Sequence, residues 1–173
     1  MRVFGLAGWS GSGKTTLVMR LLPELARRGV TASTIKHAHD GFDIDQPGKD
    51  SYEHRQAGAR EVLVASNRRW ALLHENQQTA EPDLAGLIAR LSPVDLVLVE
   101  GFKTYPHDKL EVHRPALGKP LLCADDRRII AVATDQELAG VALPMLDLDD
   151  AAAIADFIIT HCGLGAVTRS GVA

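Results

Sequence analysis

Cysteine is almost missing from this chain: 173 residues hold two, Cys123 and Cys162. They lie far apart and form no Cys-x-x-Cys pair, so they suggest no disulfide framework and are expected to be ordinary thiols. A basic block is missing as well. The 19 Lys and Arg against 22 Asp and Glu leave a net charge of −3 with no Lys/Arg cluster, so nucleic acid is not expected as the main partner. No stretch approaches the ~20 apolar residues of a membrane span. The apolar start, residues 3–7, runs into Gly8 and Ser10 too soon for an export signal, and a cytoplasmic protein is expected. There is no repeat and no interdomain linker. The reading is one domain over residues 1–162, followed by a loosely ordered tail over 163–173, where small residues carry little pattern.

What is present is an alternation of strand and helix. Residues 3–7 read as a buried strand and 15–28 as a helix with Leu17, Val18, Leu21, Leu22 and Leu25 on one stripe, Pro23 inside it and Gly29 ending it. Strands are expected at 30–35, 94–99, 109–113 and 129–133, and helices at 51–58 (capped by Asp50 or Ser51), 82–91 and 149–161. Residues 61–65 and 70–74, separated by Ser66-Asn67-Arg68-Arg69, carry a hairpin signal, which predicts an antiparallel part of the sheet. Alternation of this kind implies an α/β fold with a mostly parallel sheet. Ligands of such folds sit at the carboxyl ends of the strands. The loops after Ala7, Ile35, Val99 and Ala133 are therefore expected to face one site.

The first of those loops has the pattern Gly-x4-Gly-Lys-Thr, met by Gly8, Gly13, Lys14 and Thr15. Glycines allow the backbone to curl so that successive N–H groups of Gly8, Ser10, Gly11, Ser12 and Gly13 point at phosphate oxygens, and the helix behind adds its positive end. In such a loop Lys14 bridges the β- and γ-phosphates, and Thr15 offers its hydroxyl to Mg²⁺, with Thr16 beside it. The strand of residues 94–99 runs into Glu100-Gly101, and a phosphate loop of this type needs a carboxylate there to hold Mg²⁺ directly or through water. Asp95, at the strand's other end, reads as a structural cap.

The segment after the second strand, Lys36-His37-Ala38-His39-Asp40, leads into Phe42-Asp43-Ile44-Asp45 and Pro47-Gly48-Lys49-Asp50-Ser51. A loop this polar is usually functional or disordered. Asp43 or Asp45 is a candidate second metal carboxylate; His37 and His39 are either metal ligands or surface imidazoles. Past the strand of residues 129–133 stands Asp135. One carboxylate can accept from both N1–H and N2–H₂ of guanine, a donor pair that adenine lacks, so Asp135 is a candidate guanine reader. An Asp after a strand is also a common turn residue or helix cap.

These residues resemble the molybdopterin-guanine dinucleotide biosynthesis protein B family. The matching stretches are residues 9–16, 35–37, 43–45, 47–52, 57–59, 69–72, 98–103 and 130–133 with Asp135. The Asp-x-Asp-x-Pro-Gly-Lys-Asp-Ser and Val-Glu-Gly-Phe-Lys segments are far more specific than the phosphate loop. The resemblance implies a P-loop NTPase three-layer sandwich, usually a homodimer, that binds GTP with Mg²⁺ and hydrolyses it slowly. It implies assistance to a separate molybdenum cofactor guanylyltransferase that attaches GMP to molybdopterin. Carried over, Lys14 and Glu100 serve the reaction, Thr15, Glu100 and Asp43 or Asp45 the metal, and Asp135 the base. Lys49, His37 and Lys103 would line the same face, for the anionic pterin or the partner, and the hairpin would extend the sheet across the dimer. The chain departs from the family at Asp40, at residues 104–107 and in a short loop after Arg114.

Competing readings are a small-molecule kinase, a metal-delivery GTPase and a scaffold that merely holds nucleotide. A kinase needs arginines closing over the phosphates, and the adjacent pair Arg127-Arg128 belongs to the wrong end of a strand. Metal delivery needs softer ligands than His37 and His39. No arginine stands out as an in-cis finger, so hydrolysis without a partner is expected to be poor.

Overall fold

The computed structural model describes residues 1–38, 41–76, 82–102 and 105–165. The elements run β1 (Arg2–Ala7), α1 (Lys14–Arg27), β2 (Ala32–Lys36), α2 (Asp50–Gln56), β3 (Glu61–Ala65), β4 (Trp70–His74), α3 (Leu84–Ile88), β5 (Leu96–Glu100), β6 (Lys109–His113), β7 (Ile129–Thr134), β8 (Met145–Asp147) and α4 (Ala151–Cys162). They fall into two compact units. One comprises Met1–His37 and the chain from Leu87 onward; the other is Ala38–Gly86.

The first unit holds a six-stranded sheet in the order β2-β5-β1-β6-β7-β8, with every neighbouring pair parallel. Consecutive residues Leu96, Val97, Leu98 and Val99 of β5 are all buried, so both faces of that strand are covered, as a parallel sheet requires. On one face Phe4, Leu6, Leu98, Leu110 and Ala131 meet Leu17, Leu21 and Leu25 of α1 and Ile154 and Ile158 of α4. The spacing of four along both helices gives each a single apolar stripe. Pro23 is accommodated inside α1, which continues to Arg27. Asp150 caps α4 by accepting from the Ala153 N–H at 2.9 Å, and Gly163 closes it at φ 64°.

Asp95 behaves as the expected structural cap: one carboxylate oxygen accepts from the Thr31 N–H at 2.8 Å and the Thr31 hydroxyl at 2.6 Å. Two charged side chains are also built into β6. Lys109 is buried and donates to the Tyr105 carbonyl at 2.8 Å and to Asp126 at 3.0 Å. Glu111 is buried and accepts from the N–H groups of Leu122 and Cys123, at 2.8 Å each, which anchors the turn Leu122–Ala124.

In the second unit β3 and β4 pair antiparallel with Ala65 opposite Trp70, so the hairpin exists as read. It forms a sheet of its own, where an extension of the main sheet was expected. Helix α2 is not capped by the Asp50 or Ser51 side chain: its N-cap is Lys49, and the Ser51 hydroxyl donates to Asp45 instead. The helix expected over residues 82–91 shortens to Leu84–Ile88. It carries Gly86, and the N–H groups of Arg90 and Leu91 turn back to Leu87 and Ile88 in tighter bonds. Of the tail expected over residues 163–173, residues 166–173 lie outside the described residues, as do His39, Asp40, Lys103 and Thr104.

Candidate functional site

The segment between β1 and α1 is a curled loop. Gly8, Gly11 and Gly13 take φ values of 150°, 81° and 101°. Gly8 has no room for a side chain, since a Cβ there would lie 2.5 Å from the Val112 carbonyl oxygen of β6. The Lys14 ammonium folds back over the loop and donates to the carbonyls of Gly8 and Trp9, at 2.9 Å each. Ser12 is buried, and its hydroxyl has no hydrogen-bond partner among the described residues, which marks a polar atom awaiting one. Ser10, Gly11, Thr15 and Thr16 are exposed around it.

Sequence reasoning paired Thr15 with Glu100, and the fold brings them together. Leu6 of β1 stands beside Glu100 of β5 in the sheet register, so the loop that follows β1 lies next to the carboxyl end of β5. The Thr15 hydroxyl donates to the Glu100 carboxylate at 3.0 and 3.3 Å. A hydroxyl and a carboxylate in contact at the start of the helix are the oxygen donors that Mg²⁺ takes in such loops. After Glu100 the chain turns at Gly101 (φ 98°), where a Cβ would come within 2.7 Å of the His37 Cβ. Phe102 follows at φ 47°, a value uncommon for a bulky residue, with its ring 4.7 Å from the His37 imidazole. The two rings are tilted by 40°, a packing contact for His37, and among the described residues no three His, Cys, Asp or Glu side chains lie together as a metal site.

Asp135 follows β7, at the same end of the sheet. With Thr134, Gln136, Met145 and Asp147 it lines a cavity of about 330 Å³ at the carboxyl ends of β7 and β8, which falls in the size range of small-molecule sites. Strand β8 escaped the sequence reading because it has three residues directly after Pro144.

Sequence reasoning also missed Arg114. It stands directly after β6, the strand between β1 and β7. Its guanidinium lies 3.6–3.7 Å from the position of a Gly13 Cβ and donates to Asp135 at 2.5 Å. An arginine therefore stands beside the phosphate loop, with its guanidinium engaged by Asp135. The available signal was the rule on carboxyl strand ends, which was applied to four strands but not to residues 109–113. The segment after Arg114, which had looked short, packs along the loop. Leu117 approaches Gly11, the Trp9 indole N–H donates to the Pro120 carbonyl at 2.8 Å, and the Lys119 ammonium lies 5.7 Å from the Trp9 ring centre. Arg128, by contrast, is near Asp108 at the amino-terminal side of β7, the end opposite the phosphate loop, as expected.

Asp43 and Asp45 belong to the second unit, where both surround Arg55. Arg55 donates to Asp43 at 2.7 and 2.9 Å, to Glu75 at 2.8 Å and, more weakly, to Asp45 at 3.4 Å. Hydrogen bonding from Arg55 holds the Asp43 carboxyl below its ordinary pKa. Asp45 also accepts from the Ser51 hydroxyl and the Gln46 N–H. Arg55 was not singled out from the sequence, because an arginine on a short polar helix carries no periodic signal.

Residues 3–135 match the sequence model of the family described as molybdopterin guanine dinucleotide synthesis protein B. The molybdopterin-guanine dinucleotide biosynthesis adapter protein of Escherichia coli is 44% identical over 160 residues, covering 91% of each chain. The adapter protein of Haemophilus influenzae is 40% identical over 156 residues, covering 90% of this chain and 86% of its own. A crystal structure of molybdopterin-guanine biosynthesis protein B superposes with a TM-score of 0.72 at 28% identity, over 93% of this chain and 99% of the other. The Bacillus subtilis MobB structure, with a TM-score of 0.71 at 24% identity, shares the fold.

Proposed function

Since the chain belongs to the molybdopterin guanine dinucleotide synthesis protein B family, we propose that it is an adapter protein of molybdopterin guanine dinucleotide biosynthesis that binds GTP with Mg²⁺ and hydrolyses it slowly. The observation that carries the nucleotide reading is the Thr15–Glu100 contact beside a curled glycine loop whose lysine lies on its own carbonyls. Those carbonyls hold the Lys14 ammonium where anionic phosphate oxygens would replace them as partners. The N–H groups of residues 10–15 and the amino end of α1 supply the remaining positive field. Thr15 and Glu100 offer the oxygens for the metal. Mg²⁺, when bound, neutralises charge on the phosphates. Asp135 reads guanine from the wall of the cavity beside β8.

Hydrolysis is slow in this reading because the guanidinium of Arg114 is engaged with Asp135. The adapter works in the cytoplasm, with a molybdenum cofactor guanylyltransferase as partner and molybdopterin as a further ligand. No described helix is long and apolar enough to cross a membrane. A homodimer is supported by the hairpin, which exposes Leu63, Val64, Trp70 and Leu72 along two paired strands.

The test is reconstitution with a purified guanylyltransferase, molybdopterin and GTP. Wild-type protein is expected to raise the yield of the dinucleotide cofactor, and Lys14→Ala to leave it at the level without adapter. Equal stimulation by both would reduce the chain to a scaffold whose nucleotide is irrelevant.

A further inference from the structure

Arg114 joins two parts of the site that the sequence treats separately. It follows directly on the strand between β1 and β7, and its guanidinium lies beside Gly13 of the phosphate loop while holding Asp135. The segment that follows is tied to the same loop through Leu117 and through the Trp9 bond to Pro120, so Arg114 projects from a braced position. The guanidinium contact takes one lone pair of Asp135 Oδ2. A carboxylate offers about four such positions, which leaves Oδ1 and the second site on Oδ2 for two donors side by side. A charge-assisted bond of this kind fixes a short side chain that otherwise rotates.

We propose that Arg114 is a positioning residue for guanine: it orients the Asp135 carboxylate toward the N1–H and N2–H₂ pair and contributes nothing to phosphate affinity itself. This rests on the reading of Asp135 as the guanine reader. It differs from an arginine finger, which would act on the phosphates and serve any nucleoside triphosphate alike. The pair is partly exposed, with 35% of the Arg114 side chain accessible, so its removal leaves folding nearly untouched.

The experiment measures dissociation constants for GTP and ATP, with Mg²⁺, on wild type, Arg114→Ala, Arg114→Lys, Asp135→Asn and the Arg114→Ala/Asp135→Asn double variant, after melting curves establish that each is folded. Arg114→Ala is expected to weaken GTP about tenfold and leave ATP within about twofold. Arg114→Lys should restore part of the preference, and the double variant should be no worse than Asp135→Asn alone. Equal weakening of GTP and ATP by Arg114→Ala would make Arg114 a phosphate ligand and overturn the proposal. Unchanged or tighter GTP binding would overturn it too. If wild type itself binds GTP and ATP equally, the guanine reading fails first. If wild type discriminates and only Asp135→Asn abolishes this, the reading stands and the role of Arg114 alone falls.

Discussion

Gly8→Ala tests whether the phosphate loop is built as tightly against β6 as its geometry indicates. At φ 150° an alanine Cβ would stand 2.5 Å from the Val112 carbonyl oxygen and 2.7 Å from the Ser12 hydroxyl oxygen. The hydroxyl can turn away, but the carbonyl belongs to the backbone of a central strand, so the loop must move. A non-glycine residue in this region of φ costs about 1–3 kcal/mol, and forcing an extra methyl against fixed backbone adds roughly 1 kcal/mol or more. The sum, roughly 2–4 kcal/mol, corresponds to a fall in Tm of about 5–15 °C for a domain of this size. Gly29→Ala is the control: its φ is also positive, at 74°, but nothing lies within 4 Å of a Cβ there. It should cost only the left-handed backbone penalty, about 1 kcal/mol. Thermal melts of both variants, with and without GTP and Mg²⁺, give the comparison. Gly8→Ala should melt clearly below Gly29→Ala and lose any upward shift with nucleotide. A Gly8→Ala protein that melts like Gly29→Ala and still responds to GTP would refute the close approach and the loop geometry with it.

Other expectations follow from the charged groups. Arg55→Ala leaves Asp43, Asp45 and Glu75 facing one another with no cation between them, so limited proteolysis should cut residues 41–51 sooner than in wild type. Burial and the neighbouring Lys109 charge lower the His107 pKa to about 4, partly opposed by Asp126 and Asp108. The unfolded chain then binds the extra proton first, so the stability present above about pH 6.5 should fall as pH drops toward 4. His107→Gln should flatten that part of a Tm-against-pH curve, and an unchanged slope would reassign it to other groups. Asp95→Ala removes both acceptor contacts to Thr31 and should destabilise by about 1–2 kcal/mol in urea titration while leaving nucleotide affinity unchanged.

Much of this architecture is legible in the sequence because its signals are local. The apolar run at residues 94–99, the leucine stripe of α1 and the glycine loop each declare an element within a few residues. The pairing of Thr15 with Glu100 is legible because the loop motif requires an acid at the end of a neighbouring strand. What the sequence hides is tertiary. Arg114 meets Gly13 and Asp135 only because β6 lies between β1 and β7, and strand order is not written in periodicity. The Arg55 cluster draws partners from 10, 12 and 20 residues away. The hairpin is evident as a pair of strands, but whether it joins the main sheet depends on edges that no local pattern specifies. Glu111 and Lys109 look like the polar residues of an exposed strand, yet both are buried with partners from distant turns.

The proposed role requires the phosphate loop to bind GTP in particular. Its most direct test is calorimetric titration of the purified protein with GTP and with ATP, each with and without Mg²⁺, beside Lys14→Ala. GTP is expected to bind well above ATP, more tightly with Mg²⁺, and not at all to Lys14→Ala. Equal or tighter binding of ATP, or GTP binding that survives Lys14→Ala, would contradict it.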